Sequence, residues 1–281
     1  MQGIFRNKSQ TRQYRNTEGF RNFFFSRDAG KRPEGISAML RVRNEESKIR
    51  DALVSIDGHF QEIVVVDNAS IDETVAIVRD FAAHARSTVL LYSYPFRIAR
   101  CGSEHNSTDA QSVYSLVYFY NWSLAQCSYR YAAKWDADMI LNSAWIAQLE
   151  SLKTSMKQAD RVISISQRCV YKTADNQYFE DTDDDNSEVR LFANRPEIDF
   201  AKTDNYEVLT WPENIIHERA DGIAFFELRY LTENEFSHWS EGEFVTPRKI
   251  REKTIMDSLR AGDVPQGLKQ IEPGQVFAER S

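Results

Sequence analysis

Lys134-Trp135-Asp136-Ala137-Asp138-Met139-Ile140 is the stretch from which the fold is best read. It follows an apolar run, Tyr129-Arg130-Tyr131-Ala132-Ala133, that reads as a buried strand, and a helix pattern begins soon after it. Two carboxylates one residue apart can reach one divalent cation where a strand gives way to a turn. Such a hard cation, Mg²⁺ or Mn²⁺, fills its remaining positions with water and substrate phosphates. Asp-x-Asp alone is more often a solvated turn, so its meaning depends on its surroundings.

Working backwards, Ile36-Ser37-Ala38-Met39-Leu40-Arg41-Val42 reads as a strand, with Asn44 placed to cap a helix carrying Ile49, Leu53 and Ile56 on one face. Ile63-Val64-Val65-Val66 has the β-branched character of a central parallel strand. It stops at Asp67-Asn68-Ala69-Ser70, where Ser70 and Glu73 have capping-box spacing for a second helix. Thr88-Val89-Leu90-Leu91-Tyr92 is a third strand. Strand–helix alternation of this kind predicts an α/β, Rossmann-like, mostly parallel sheet flanked by helices. Ligands bind such sheets beyond the carboxyl ends of the strands. Arg41–Asn44, Asp67–Ser70 and Asp136–Asp138 all fall there.

Composition limits the partners. The 281 residues carry a net charge of −7, with 42% hydrophobic and 27% charged residues, as in an ordinary globular protein. The negative balance argues against a nucleic-acid partner, which requires a basic face. No apolar run approaches transmembrane length and no signal-type segment follows the start. Cys101, Cys127 and Cys169 have neither zinc nor redox spacing. A cytoplasmic protein with reduced thiols is expected.

Residues 1–34 differ in character, with Arg6, Lys8, Arg12, Arg15, Arg21, Arg27, Lys31 and Arg32 surrounding Phe20, Phe23, Phe24 and Phe25. This basic-aromatic arm is expected either to touch an anionic membrane surface at its inner face or to pack on the domain or a second subunit. Residues 35–240 then form the main domain, and residues 241–281 a C-terminal helix and tail. That helix starts at Thr246-Pro247, with Ile250, Ile255 and Leu259 expected inward. Glu180–Asp185 lacks the glycine and terminal glutamate of a calcium loop and reads as a solvated loop near an acceptor.

Taken in order, Ile36–Glu45, Ile63–Thr74 and Trp135–Asp138 resemble glycosyltransferase family 2, over about residues 35–158 and more thinly to about 240. The resemblance implies the GT-A fold, a nucleoside-diphosphate sugar donor, an Mn²⁺ or Mg²⁺ cofactor, and transfer with inversion to a saccharide or glycolipid hydroxyl, as in polysaccharide synthesis. It implies that Arg41 and Arg43 line the nucleobase pocket, that Glu45 reaches the ribose or caps its helix with Asn44, and that Asp67 reads the base. Asn121, in Tyr120-Asn121-Trp122, matches a donor-site asparagine of the family, whereas Tyr120 replaces an arginine that holds phosphate. Arg97 and Arg100, in an inserted loop, are candidates to replace that contact. Asp138 is expected on the metal directly, and Asp136 on the ribose or a metal-bound water. Glu188–Pro196 resembles the Arg-Leu-Phe-x-Asn segment of one branch, in which a His-Glu pair follows within about a dozen residues. Tyr206-Glu207 occupies the matching place, so Glu207 is the first candidate for the general base. Glu218 is the second, with His217 beside it as a candidate metal ligand.

Two other readings compete. A sugar-phosphate nucleotidyltransferase needs a glycine-rich loop after the first strand, and Arg41–Glu46 contains no glycine. A degenerate domain acting as a binding module would not need Asp67, Asp136 and Asp138 together.

Overall fold

A β-hairpin opens the computed structural model, which describes residues 11–184, 186–240 and 246–277. Arg6, Lys8 and Asp185 lie outside the described residues. Strand β1 (Thr11–Tyr14) pairs antiparallel with β2 (Phe25–Asp28). The aromatic residues between and within them pack on the protein itself. The Phe23 ring sits 4.7 Å from that of Phe96 and 5.3 Å from that of Tyr94, and Phe25 meets Tyr118 at 5.3 Å. Arg27 is 1% exposed and donates to the carbonyls of Ile198 (2.7 Å) and Arg195 (2.6 Å) and to Asn194 Oδ1 (3.2 Å). Among the described residues the arm therefore packs on the domain, one of its two expected placements, while Phe20 stays 44% exposed. Packing Phe23 and Phe25 against an aromatic wall holds the hairpin on the domain, and the two Nη groups of the buried Arg27 guanidinium are hydrogen-bonded.

The sheet begins with β3 (Ile36–Val42), α1 (Ile49–Ile56), β4 (Glu62–Asp67), α2 (Thr74–Ala82) and β5 (Thr88–Ser93). β3, β4 and β5 run parallel, Val42 opposite Asp67 and Asp67 opposite Ser93, so their carboxyl ends are level. Neither helix has the side-chain cap expected from sequence. The two parallel loops bond to each other instead. Asn44 N–H donates to Ser70 Oγ at 2.9 Å, Ile71 N–H to Asn44 Oδ1 at 2.9 Å, and Glu45 N–H to Thr74 Oγ1 at 2.7 Å. Adjacent strands bring these loops side by side, and bonds between loops displace the local ones. Asn44 and Ala69 take left-handed backbone angles to do so, φ 56° and 54°, which for an alanine costs about 1–2 kcal/mol.

After α3 (Ser103–Ser107), Ser115 caps α4 (Leu116–Ala125) by accepting from the Val117 and Tyr118 N–H groups. β6 (Tyr131–Trp135) joins parallel to β3 and ends immediately before Asp136. β7 (Met139–Leu141), α5 (Ile146–Met156), β8 (Arg161–Lys172), β9 (Tyr178–Asp181), β10 (Ser187–Ala193), the hairpin of β11 (Asp199–Lys202) and β12 (Glu207–Thr210), β13 (Ile216–Tyr230), α6 (Pro247–Arg260) and β14 (Leu268–Ile271) complete the chain. The sheet order is β14-β9-β8-β10-β6-β3-β4-β5, with β13 parallel to β8 and antiparallel to β7. The parallel character expected from sequence therefore describes β6-β3-β4-β5, and the strands beyond β6 are mixed. The result is a mixed α/β architecture with helices flanking one long sheet.

The C-terminal helix starts where expected, with Thr246 Oγ1 accepting from Lys249 N–H at 3.2 Å. Ile255, Met256 and Leu259 are buried, whereas Ile250 is exposed. The acidic stretch is not a free loop. Asp181 lies in β9, 2% exposed, and accepts from Arg251 of α6 at 2.8 Å, while Glu180 pairs with Arg168 at 2.5 Å. Opposite charges on α6 and β8 absorb it into the fold.

Candidate functional site

A cavity of about 740 Å³ opens over the carboxyl ends of β3 and β6, with Arg41, Arg43, Glu45, Asp136, Asp138 and Glu207 on its wall. Asp136 is held from both sides. Its Oδ1 accepts from Arg41 at 2.6 Å and its Oδ2 from Arg190 at 2.5 Å, both arginine side chains being 4% exposed. The Arg41 guanidinium stacks on the Tyr120 ring, 3.6 Å from its centroid. Tyr120, where the family resemblance leads one to expect a cation, thus carries a cation from the neighbouring strand. Burial raises the Asp136 carboxyl, but Arg190 and Arg41 outweigh it and hold it far below the usual range. Arg41 Nε and Nη1 are buried without hydrogen-bond partners.

Asp138 differs. Arg229 donates to its Oδ2, and its Oδ1 is buried with no partner among the described residues. Burial raises this carboxyl, against the charge of Arg229. Arg229 is itself shared among Asp138, Glu227 and Glu252 of α6, the last at 3.2 Å. Thus α6, placed by sequence outside the main domain of residues 35–240, reaches the site through this ion network. Glu45 is pushed up to about 8, first by burial, then by the charge of Asp138, with Lys48 opposing.

That shift gives a stability prediction. An unfolded glutamate titrates near about 4.3. The folded protein therefore keeps a proton that the unfolded chain releases over the interval up to about 8. The resulting stability is full below the unfolded value and is lost as pH rises to the folded one. Against Glu45→Gln, the parent is expected to lose melting temperature steadily from pH 5 to 8 and then run level. Parallel melting curves across that range would show Glu45 ionised throughout.

The other residues singled out by sequence divide sharply. Arg43 is exposed at the cavity mouth. Arg97 and Arg100 line it too but are tied to Glu104, at 3.6 and 2.6 Å. Asp67 is buried behind the wall and accepts from Ser70 N–H at 3.2 Å, which holds the turn after β4. Asn121 is also off the wall. Its amide accepts from Phe200 N–H at 3.0 Å and donates to Phe200 C=O at 2.8 Å, anchoring β11 to α4. Its expected donor contact is corrected to this backbone clamp, since both ends of the amide are occupied.

Glu207 lies on the wall, its side chain 7% exposed, with Oε1 accepting from Lys134 Nζ at 3.1 Å. His217 and Glu218 do not approach it. They sit at the opposite end of β13, eleven residues before Leu228, whose N–H donates to Asp138 C=O at 2.8 Å. At a strand's rise this separation is roughly 30 Å. There His217 Nε2 bonds Ser164 Oγ at 2.8 Å, and Glu218 accepts from Arg161 at 3.0 Å. Both expectations are corrected: an extended strand carries its two ends apart, and adjacency in sequence to a motif confers no proximity. A different histidine, His238, lines the cavity, pushed down to about 4 by burial and the charges of Lys249 and Arg229. Arg190, Arg229 and His238 were not named as site residues from sequence. The signal for Arg190 is a cation inside an apolar run, Val189-Arg190-Leu191-Phe192, and for Arg229 an acid and a base two apart in a strand, Glu227-Leu228-Arg229-Tyr230.

No helix among the described residues is long and apolar enough to cross a membrane. Neither a family model nor a curated protein matches the chain. Among solved structures, S. aureus TarS 1-349 in complex with UDP-GlcNAc is similar at 15% identity and a TM-score of 0.48, over 80% of this chain and 65% of that one. Glucosyl-3-phosphoglycerate synthase from Mycobacterium tuberculosis, in complex with Mg²⁺ and uridine-diphosphate, is similar at 20% identity and a TM-score of 0.29, over 50% of this chain and 43% of that one. The chain thus spans less than two thirds of either structure it resembles.

Proposed function

We propose that the protein is a metal-dependent, inverting glycosyltransferase that moves a sugar from a nucleoside diphosphate to a hydroxyl of a saccharide or glycolipid. The observation that carries this reading is the unpartnered, buried Asp138 Oδ1, on the wall of a cavity that also holds the Glu207 carboxylate. A cavity of about 740 Å³ is within the usual range for small-molecule and cofactor sites.

The metal fits in one respect and not in another. Asp138 Oδ1 is a free, desolvated carboxylate oxygen of the kind a hard cation takes, and Mg²⁺ commonly needs only one or two protein carboxylates beside water and phosphate. Asp136 has both oxygens on guanidinia, so it orients Arg41 and Arg190 instead of serving as a ligand. A bound Mn²⁺ or Mg²⁺ would neutralise charge on the leaving diphosphate. The free N–H groups of Arg41 and the exposed Arg43 guanidinium would bind the anionic nucleotide, and Glu45 the ribose. Glu207 takes the proton of the attacking hydroxyl.

The test is a thermal-shift series with UDP, GDP and dTDP, with and without Mn²⁺. UDP is included because the two similar structures contain UDP or a UDP-sugar. A nucleotide at 100 times its dissociation constant should add about 2.7 kcal/mol of stability. Asp138→Asn is expected to keep the fold and lose the Mn²⁺-dependent part of the shift. A variant that answers Mn²⁺ and nucleotide like the parent would make the Asp-x-Asp a structural turn. No shift with any diphosphate would favour a binding module of another kind.

A further inference from the structure

Lys134 stands one strand position before the Trp135-Asp136 turn, and its ammonium contacts a cavity-wall carboxylate, that of Glu207. The lysine side chain is 17% exposed and its partner 7%, so this is an enclosed pair and not a surface one. Nζ lies 5.3 Å from the Tyr120 ring centroid and 6.0 Å from that of Phe200, a cage that limits where it can go. The groups facing Glu207 from the other elements are neutral: Tyr120 of α4 is held protonated by burial, Cys101 is pushed up to about 12 by burial and the charge of Glu207, and His105 is lowered by burial. A second cation, Lys202, is Glu207's cross-strand neighbour, but its ammonium is bonded to the carbonyls of Asn106 and Thr108, at 2.9 and 2.6 Å. Lys134 is therefore the cation that holds this carboxylate. It grips Oε1 and, among the described residues, leaves Oε2 without a hydrogen bond.

We infer that Lys134 is the positioning residue of the transfer step, fixing Glu207 by Oε1 so that Oε2 is presented to the attacking hydroxyl; this rests on the transferase reading above. In that step the acceptor O–H gives its proton to Oε2 and its oxygen bonds to the anomeric carbon. The bond from that carbon to the diphosphate oxygen breaks, and its electron pair leaves with the diphosphate. A carboxylate free to rotate would meet the hydroxyl in the wrong geometry for most of the time, and misplacement of about 1 Å costs about 100-fold in rate.

The experiment measures turnover of UDP-glucose and UDP-N-acetylglucosamine to UDP, with the UDP thermal shift recorded on every protein. Lys134→Met is expected to lower kcat about 100-fold with donor KM and the thermal shift unchanged. Lys134→Arg should restore most of the rate. In a Glu207→Gln background Lys134→Met should add nothing, as expected of two residues acting as one unit. Parent-level kcat in Lys134→Met would overturn the inference, as would a loss that adds in full to that of Glu207→Gln. If Lys134→Met loses its cooperative melt, Lys134→Gln, with a polar head on a shorter stem, replaces it in the same comparison. A parent protein that neither turns over a donor nor shifts with UDP would remove the transferase reading and this inference together, an outcome distinct from a defect confined to the variants.

Discussion

Glu207→Gln is expected to lower sugar transfer by about 10²–10⁴ while leaving donor affinity and folding intact. The substitution keeps the size of the side chain, and the amide oxygen can still accept from Lys134 Nζ, now 3.1 Å from Oε1. What it removes is a carboxylate able to take a proton. At 1.36 kcal/mol per tenfold, the loss corresponds to about 3–5 kcal/mol of barrier. Steady-state transfer and calorimetric donor binding, measured on the same protein, separate the step from the binding. Glu218→Gln is the control, because Glu218 is engaged by Arg161 far along β13 and should transfer at the parent rate. Should Glu207→Gln transfer like the parent, the base lies elsewhere on the cavity wall.

The second large effect is on stability. Arg229→Met is expected to cost about 3–5 kcal/mol, the usual penalty for removing one partner of a buried charge network. Arg229, 3% exposed, bonds Asp138, Glu227 and Glu252, which come from the turn after β6, from β13 and from α6. Without it three enclosed carboxylates share Arg248, Lys249 and Lys48. For a domain of this size the cost is a fall of about 10 °C in melting temperature. The pH dependence should also change. In the parent, burial raises Glu227 but Arg229 and Arg248 outweigh it and hold it well below its ordinary value. A depressed carboxyl contributes stability above its unfolded value, near about 4.3, and that stability is lost as pH falls toward the folded value. Beyond the slope that Glu45 gives both proteins, the parent should therefore be level from pH 7 to 5, whereas Arg229→Met should gain further stability on acidification as its unpaired carboxylates take up protons. A variant melting within 2 °C of the parent, with the same pH profile, would mean that the network is dispensable.

Both experiments bear on the C-terminal half of the chain, which was less legible than the N-terminal half. The run of Ile36–Val42, Ile63–Val66 and Thr88–Tyr92 with helical patterns between them determines a parallel sheet, because apolar strands of that length can be buried on both faces only under crossover helices. Level strand ends follow, and with them the meeting of Arg41, Arg43, Glu45, Asp136 and Asp138 around one cavity. Glu207 lies on the wall of the same cavity, carried by β12 of the separate β11–β12 hairpin. What sequence could not decide was which polar groups would consume one another. Asn121 is bound by Phe200, Asp67 by Ser70, and both oxygens of Asp136 by arginines, one of them fifty-four residues away. Nor could His217-Glu218 be separated from the site until β13 was seen to run as a single strand of 15 residues. Local pattern fixes period and direction over some ten residues; hydrogen bonds and ion pairs between distant segments depend on how a twisted sheet brings those segments together. For that reason Arg190, Arg229 and the α6 residues beneath Asp138 became visible only once the chain was folded.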